Sequence, residues 1–116
     1  EIYSEVERFK EIKESIVVGQ SWDNDVRIIL FIIMNTKFYL TEDLIKKIKL
    51  QIKKNASPRH VPSKIIQVKD IPRTKSGKIV ELAVKNILDG NNIKNKEALA
   101  NPEALKQFKN LKELSN

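Results

Sequence analysis

Cysteine is absent from the 116 residues, and histidine occurs once, at His60. No disulfide framework, thiolate nucleophile or thiolate metal site is available. A site built from several imidazoles is excluded with them, and no metal centre is expected. The lack of cysteine suits a reducing compartment, so the expected location is cytoplasmic. Long hydrophobic runs are missing too. The longest, Ile28 to Met34, has the length of a buried strand and falls well short of the roughly 20 residues of a membrane span. Aromatic residues reach only 6% and are scattered, which tells against the stacked platforms that hold single-stranded nucleic acid.

What is there is charge: 22 Lys and Arg against 15 Asp and Glu, a net +7. A basic domain of this size meets phosphates, whether of nucleic acid, a nucleotide or a phosphorylated cofactor. A nonenzymatic nucleic-acid-binding module is therefore the rival to any enzymatic reading. Tight binding at physiological salt would mark it. Hydrophobic residues make up 41%, enough for one core, and the length fits one domain. The chain opens at Glu1 without an initiator methionine and inside a helical pattern, as expected of a piece of a longer protein.

Periodicity divides the chain. Ile2, Val6 and Phe9 share one helical face, predicting a helix over Glu1 to Ile12. Glu14 to Trp22 reads as a strand around Ile16-Val17-Val18, with Trp22 packing at the edge of a hairpin. Asp23-Asn24-Asp25 is a turn, and Val26 to Met34 reads as a central strand covered on both faces. Thr41 caps a helix running to about Ala56, with Leu44, Ile45, Ile48 and Ile52 inward; Pro58 stops it. Lys64 to Ile71 is a third strand. Val80, Ala83, Val84, Ile87 and Leu88 make a helix closed by Gly90. Asn91 to Ala100 reads as a mobile polar connector. Asn101-Pro102-Glu103 opens a last helix, docked through Leu105, Phe108 and Leu111. The fold class is α+β, a small three-stranded mixed sheet packed with helices.

The informative segment is Pro72-Arg73-Thr74-Lys75-Ser76-Gly77-Lys78-Ile79. It is not a Walker A loop, which needs glycine where Pro72 stands and Ser or Thr where Ile79 stands. By its residues alone it is an exposed basic loop ahead of a helix. A lysine on such a loop presents a point charge on a long stem. Gly77 permits an unusual backbone conformation or a close approach. Ser76 bonds within its own turn, Lys75 is solvated, and His60 has no partner that would make it a base.

Pro72-x-x-x-Ser76-Gly77-Lys78-Ile79 resembles the C-terminal lysine motif of the adenylate-forming enzymes, the family of acyl-CoA synthetases, peptide-synthetase adenylation domains and luciferases. Glu14 to Gln20, Leu30-Phe31-Ile32 and Ser57-Pro58-Arg59-His60-Val61-Pro62 resemble further segments of the same domain, so the likeness covers essentially the whole chain. The Ser57-to-Pro62 segment and the tail from Ala98 to Leu105 place it nearest the acetoacetate-activating branch. Val80-Glu81-Leu82-Ala83-Val84-Lys85 lacks the paired arginines of acetyl-CoA synthetases, which agrees. Another short-acid synthetase, for acetate or propionate, is the alternative within the family.

The resemblance implies a ligase that joins acetoacetate, ATP and CoA into acetoacetyl-CoA, AMP and pyrophosphate. Residues 1–90 would be its mobile C-terminal domain and residues 91–116 an extension docked on it. Lys78 would contact the substrate carboxylate and the ATP phosphates during adenylation. Lys53 matches a basic residue that meets CoA in the acetyl-CoA branch, with Lys54 and Arg59 beside it. The partner would be a large N-terminal adenylation domain holding ATP, Mg2+ and the acyl pocket, so the chain alone binds no cofactor and is inactive. An acetyltransferase and a deacetylase acting on Lys78 are further expected partners. No nucleic acid or membrane is expected.

Overall fold

The computed structural model describes residues 2–93 and 96–115. The expectations that fall on Glu1, Lys94, Asn95 and Asn116 lie outside the described residues. Helix α1, Ile2–Val6, leads into strand β1, Ile12–Trp22, and strand β2, Asp25–Met34. Helix α2, Glu42–Asn55, carries the chain back to strand β3, Lys64–Gln67, and helix α3, Glu81–Leu88, follows the lysine-bearing loop. The sheet order is β1-β2-β3, antiparallel between β1 and β2 and parallel between β2 and β3. This is the α+β fold with a three-stranded mixed sheet that the sequence predicts.

β2 is covered on both faces, as its apolar run implies. Ile29 and Phe31 join Ile16, Val18, Ile66, Val84 and Phe108 under α3 and the tail. Leu30, Ile32 and Met34 join Leu44, Ile48 and Ile52 under α1 and α2. Alternation along one strand thus feeds two cores.

Several boundaries differ from expectation. α1 stops at Val6 and the chain continues in tighter turns, Arg8 N to Glu5 O and Phe9 N to Val6 O, before Asn35 bonds Glu11 O at 2.8 Å and, through its side chain, Lys10 O at 2.7 Å. Ile12 then pairs with Met34 instead of completing a helical face. The hairpin turn has two residues, not three. Asp23 and Asn24 both take positive φ (51° and 61°), and Asp25 pairs with Trp22. That backbone matches the strand twist, and Asp and Asn tolerate it. β3 ends at Gln67, short of Ile71, because the Gln107 side chain takes the backbone groups of Lys69 and Asp70 that a ladder would have used.

The tail departs most. Pro102–Phe108 is a 3-10 helix, and the Asn101 side chain makes no capping bond to it. The 91–100 segment is no free connector throughout: Leu99 is buried, and Ala100 N donates to Arg73 O at 2.9 Å. Phe108 lies edge-on to Phe31, ring centres 4.8 Å apart, while Leu111 packs only partly buried.

Candidate functional site

The segment Arg73 to Ile79 is a tight hairpin. Arg73 and Ile79 form an antiparallel bridge. Thr74 N donates to Lys78 O at 2.8 Å, and Gly77 N donates to Thr74 O at 2.9 Å. This is a three-residue loop, Lys75-Ser76-Gly77, with the glycine in the left-handed region at φ 91°. A Cβ on Gly77 would touch nothing within 4 Å, so the glycine serves conformation and not close approach. Thr74 Oγ1 accepts from Lys78 N at 3.1 Å and lies 3.0 Å from Ser76 Oγ. Ser76 therefore bonds a neighbouring hydroxyl within its turn.

Lys78 emerges from this hairpin exposed, and among the described residues its ammonium group has no hydrogen-bonding or ionic partner. The backbone is held while the charge is free. The hairpin's base is pinned on several sides. Arg73 pairs with Glu14 of β1. Val80 N donates to Pro72 O at 3.0 Å, and Thr74 bridges to Leu99 of the tail.

α3, which continues from the hairpin, is clamped to β1 at both ends. At its start the Tyr3 hydroxyl donates to Glu81 Oε2 at 2.8 Å and accepts from Val17 N at 2.9 Å on the free edge of the sheet. Burial, with Glu81 nearby, pushes the Tyr3 phenol up to about 12. At its end Lys85 bonds Asp89 at 2.9 Å and Gly19 O at 3.0 Å, and Ser21 N donates to Asp89 at 2.9 Å. Burial would raise the Asp89 carboxyl, but the Ser21 amide and Lys85 together hold it below the usual range. The helix closes in a Schellman motif: Gly90 N bonds Ile87 O, and Asn91 N bonds Asn86 O.

Lys53, Lys54 and Arg59 lie elsewhere. They are exposed at the end of α2 and in the 3-10 turn Pro58–His60 that follows it. That turn leads into β3, whose Lys64 pairs with Ile29 near the start of β2. Glu14, which holds the lysine hairpin, pairs with Ile33 at the other end of β2. The turn that bears Arg59 thus lies toward the start of β2 and the hairpin that bears Gly77 and Lys78 toward its end, while Lys54 lines a shallow pocket with Phe9, Lys47, Leu50 and Gln51. His60 Nδ1 sits 2.7 Å from Ser57 Oγ, within its own turn. Trp22 is covered by the Arg27 guanidinium, 3.7 Å from the ring centre, and is no stacking platform. Among the described residues no group of three His, Asp or Glu is placed to hold a metal.

Sequence reasoning missed the supports. Asn101 reads as a helix cap and instead bonds Asp70, Ile71 and Arg73. Tyr3, Glu14 and Gln107 carry no local pattern, because their partners are 78, 59 and 38 residues away.

Comparison with known proteins fits this geometry. The AMP-binding enzyme C-terminal domain family matches residues 1–78, ending on the exposed lysine. An acetoacetyl-coenzyme A synthetase of Rhizobium meliloti (strain 1021) is 56% identical over the whole chain, which covers 18% of that relative. An acetoacetyl-CoA synthetase of Xenopus tropicalis is 44% identical, again over the whole chain and 17% of the relative. Among solved structures, an acetoacetyl-CoA synthetase from Streptomyces lividans superposes with a TM-score of 0.82 at 36% identity, over 92% of this chain and 16% of that one. The chain thus spans under a fifth of these relatives, and it belongs to the AMP-binding enzyme C-terminal domain family.

Proposed function

We propose that this chain is the C-terminal domain of an acetoacetate–CoA ligase and that Lys78 is its adenylation lysine. The observation that carries the reading is the contrast within the hairpin: a fixed backbone and an ammonium group with no partner among the described residues. When the acetoacetate carboxylate attacks the α-phosphate of ATP, two anions converge and charge spreads over the phosphoryl oxygens. A cation already in place lowers that barrier without reorganising. The products are acetoacetyl-adenylate and pyrophosphate; CoA then takes the acyl group and AMP leaves.

Residues 1–90 act as a mobile domain, carrying residues 91–116 docked on it. The two basic ends suit a domain that turns between half-reactions, one presenting Lys78 to ATP and the other presenting Lys53, Lys54 and Arg59 to the CoA phosphates. Ile79 and Leu82, 37% and 66% exposed, give apolar surface beside Lys78 for the N-terminal domain to cover. The acyl pocket and the Mg2+ that accompanies ATP belong to that domain. The cytoplasm is the proposed compartment. Acetylation of Lys78, reversed by a deacetylase, would remove the charge and stop adenylation.

The test is an assay of the complete enzyme for acetoacetate-, ATP- and CoA-dependent thioester formation, with acetate and propionate as competitors. Acetoacetate is expected to have the highest kcat/KM, and the isolated chain is expected to be inactive. Preference for acetate or propionate would move the enzyme to another short-acid branch. Full activity of a preparation acetylated at Lys78 would end both the switch and the catalytic role.

A further inference from the structure

The tail reaches into the base of the lysine hairpin and becomes part of it. Asn101 Oδ1 accepts from Arg73 N at 2.8 Å, and its Nδ2 donates to Asp70 Oδ2 at 2.9 Å and Ile71 O at 2.8 Å. Both donor hydrogens of the amide are used, and all three partners lie on the arm that climbs to the hairpin. The preceding two residues extend the contact: Ala100 N donates to Arg73 O, and Leu99 bridges Thr74. Thr74 in turn exchanges backbone and side-chain bonds with Lys78. The line Asn101, Arg73, Thr74, Lys78 is thus continuous, and its far end is anchored by the buried Leu105 and Phe108. The family model ends at residue 78, so these supports come from a segment outside the shared domain.

We infer that Asn101 is a positioning residue for adenylation. It sets the height and tilt of the hairpin, and so the place of the Lys78 ammonium group, without touching substrate. This rests on the adenylation role of Lys78. Misplacing a reacting group by an ångström costs up to about a hundredfold, so an indirect effect through one lysine is measurable.

The experiment uses the complete enzyme carrying Asn101→Ala, Lys78→Ala and the pair. Acetoacetate-dependent pyrophosphate exchange reads adenylation, and thioester formation from preformed acetoacetyl-adenylate and CoA reads the second step. Asn101→Ala is expected to slow exchange on the order of tenfold and to leave the second step unchanged. In the Lys78→Ala background it is expected to slow exchange no further, since its effect passes through that lysine. If Asn101→Ala does not fold, Asn101→Ser, which keeps a short polar group without adding a charge beside Asp70, gives the same pattern at smaller size. Equal loss in both steps, no loss in either, or an effect that multiplies with Lys78→Ala would reduce Asn101 to a fold contact and overturn the inference. Normal exchange by Lys78→Ala alone would overturn the reading of Lys78 as well.

Discussion

The two basic ends of this domain are built differently. At the hairpin Lys78, with Lys75 three residues before it, stands on a backbone fixed by β1, by α3 and by the tail. At the α2 corner Lys53, Lys54 and Arg59 stand on a helix end and a short 3-10 turn, exposed, with no ionic partner among the described residues. The difference is the one expected if each end has the role proposed for it. A charge that stabilises a transition state has to be in place before the reaction, and the surroundings must hold it there. A charge that gathers a polyanion works through its field, which tolerates motion and is screened by salt.

The largest test of this contrast is Lys78→Ala in the complete enzyme. Pyrophosphate exchange is expected to fall on the order of a hundredfold or more. Thioester formation from preformed adenylate is expected to stay near normal, because an interaction made in one transition state affects that step alone. The fold is expected to survive, as an exposed lysine contributes little to stability. Equal loss in both steps by a folded variant would remove the distinction between the two ends.

Next in size is Gly77→Ala. The new methyl group meets no atom, so any effect comes from φ 91° alone. Left-handed backbone costs an L-residue about 1–2 kcal/mol, and the hairpin is expected to relax by moving Lys78. Exchange slows and the second step does not, while Gly77→Asn, better suited to that φ, loses less. An unchanged exchange rate in Gly77→Ala would mean that the hairpin need not be rigid.

How much of this could be read from the sequence divides along the same line. β2 was legible because its uninterrupted run of seven apolar residues, Ile28 to Met34, needs two cores, and α2 because Thr41 and Pro58 mark its ends. Lys78 and Gly77 were legible through a motif, which is contiguous. The supports were not. Asn101-Pro102-Glu103 has the form of a helix start, and only the arrival of residues 70–73 beside it turns the Asn101 amide into a cross-brace. α1 was overextended because the helical spacing of Phe9 is real, yet the pairing of Ile12 with Met34 and the bonds from Asn35 to Lys10 and Glu11 draw the chain into the sheet. Local pattern reports what a segment can do; partners distant in sequence decide which option is used.

Tyr3→Phe probes the clamp that holds the start of α3 behind the hairpin. Its hydroxyl serves both Val17 N and Glu81, so its loss is expected to cost about 1 kcal/mol. The phenol is raised from 10.0 to about 12 in the folded state, so its contribution is full below pH 10 and fades as pH rises towards 12. Denaturation of wild type and Tyr3→Phe across that range is expected to converge. At the acid end Asp89 has the opposite sign. Its carboxyl is lowered, so its stabilisation is present at neutral pH and lost as pH falls through the lowered value. Parallel curves for Tyr3→Phe and wild type up to pH 12 would show that the hydroxyl does not link the two elements in solution.

The smallest effect is expected at the other end. CoA carries three phosphate groups, and an exposed cation facing an anion in water is worth roughly 0.2–1 kcal/mol. Lys53→Ala is therefore expected to raise the KM for CoA by no more than about fivefold, with pyrophosphate exchange unchanged. Replacing Lys53, Lys54 and Arg59 together is expected to multiply the effect, because separate charges acting through a field contribute nearly independently. Raising the salt concentration should shrink the difference between this triple variant and wild type, since exposed charges are screened beyond about 10 Å at 0.1 M. On the proposed role the Lys78→Ala defect should persist at the same salt, because the complete enzyme would enclose Lys78 against the N-terminal domain during adenylation. A normal KM for CoA in the triple variant would leave these cations as solvated surface, and a salt-insensitive defect would mean that they are shielded from solvent when CoA binds.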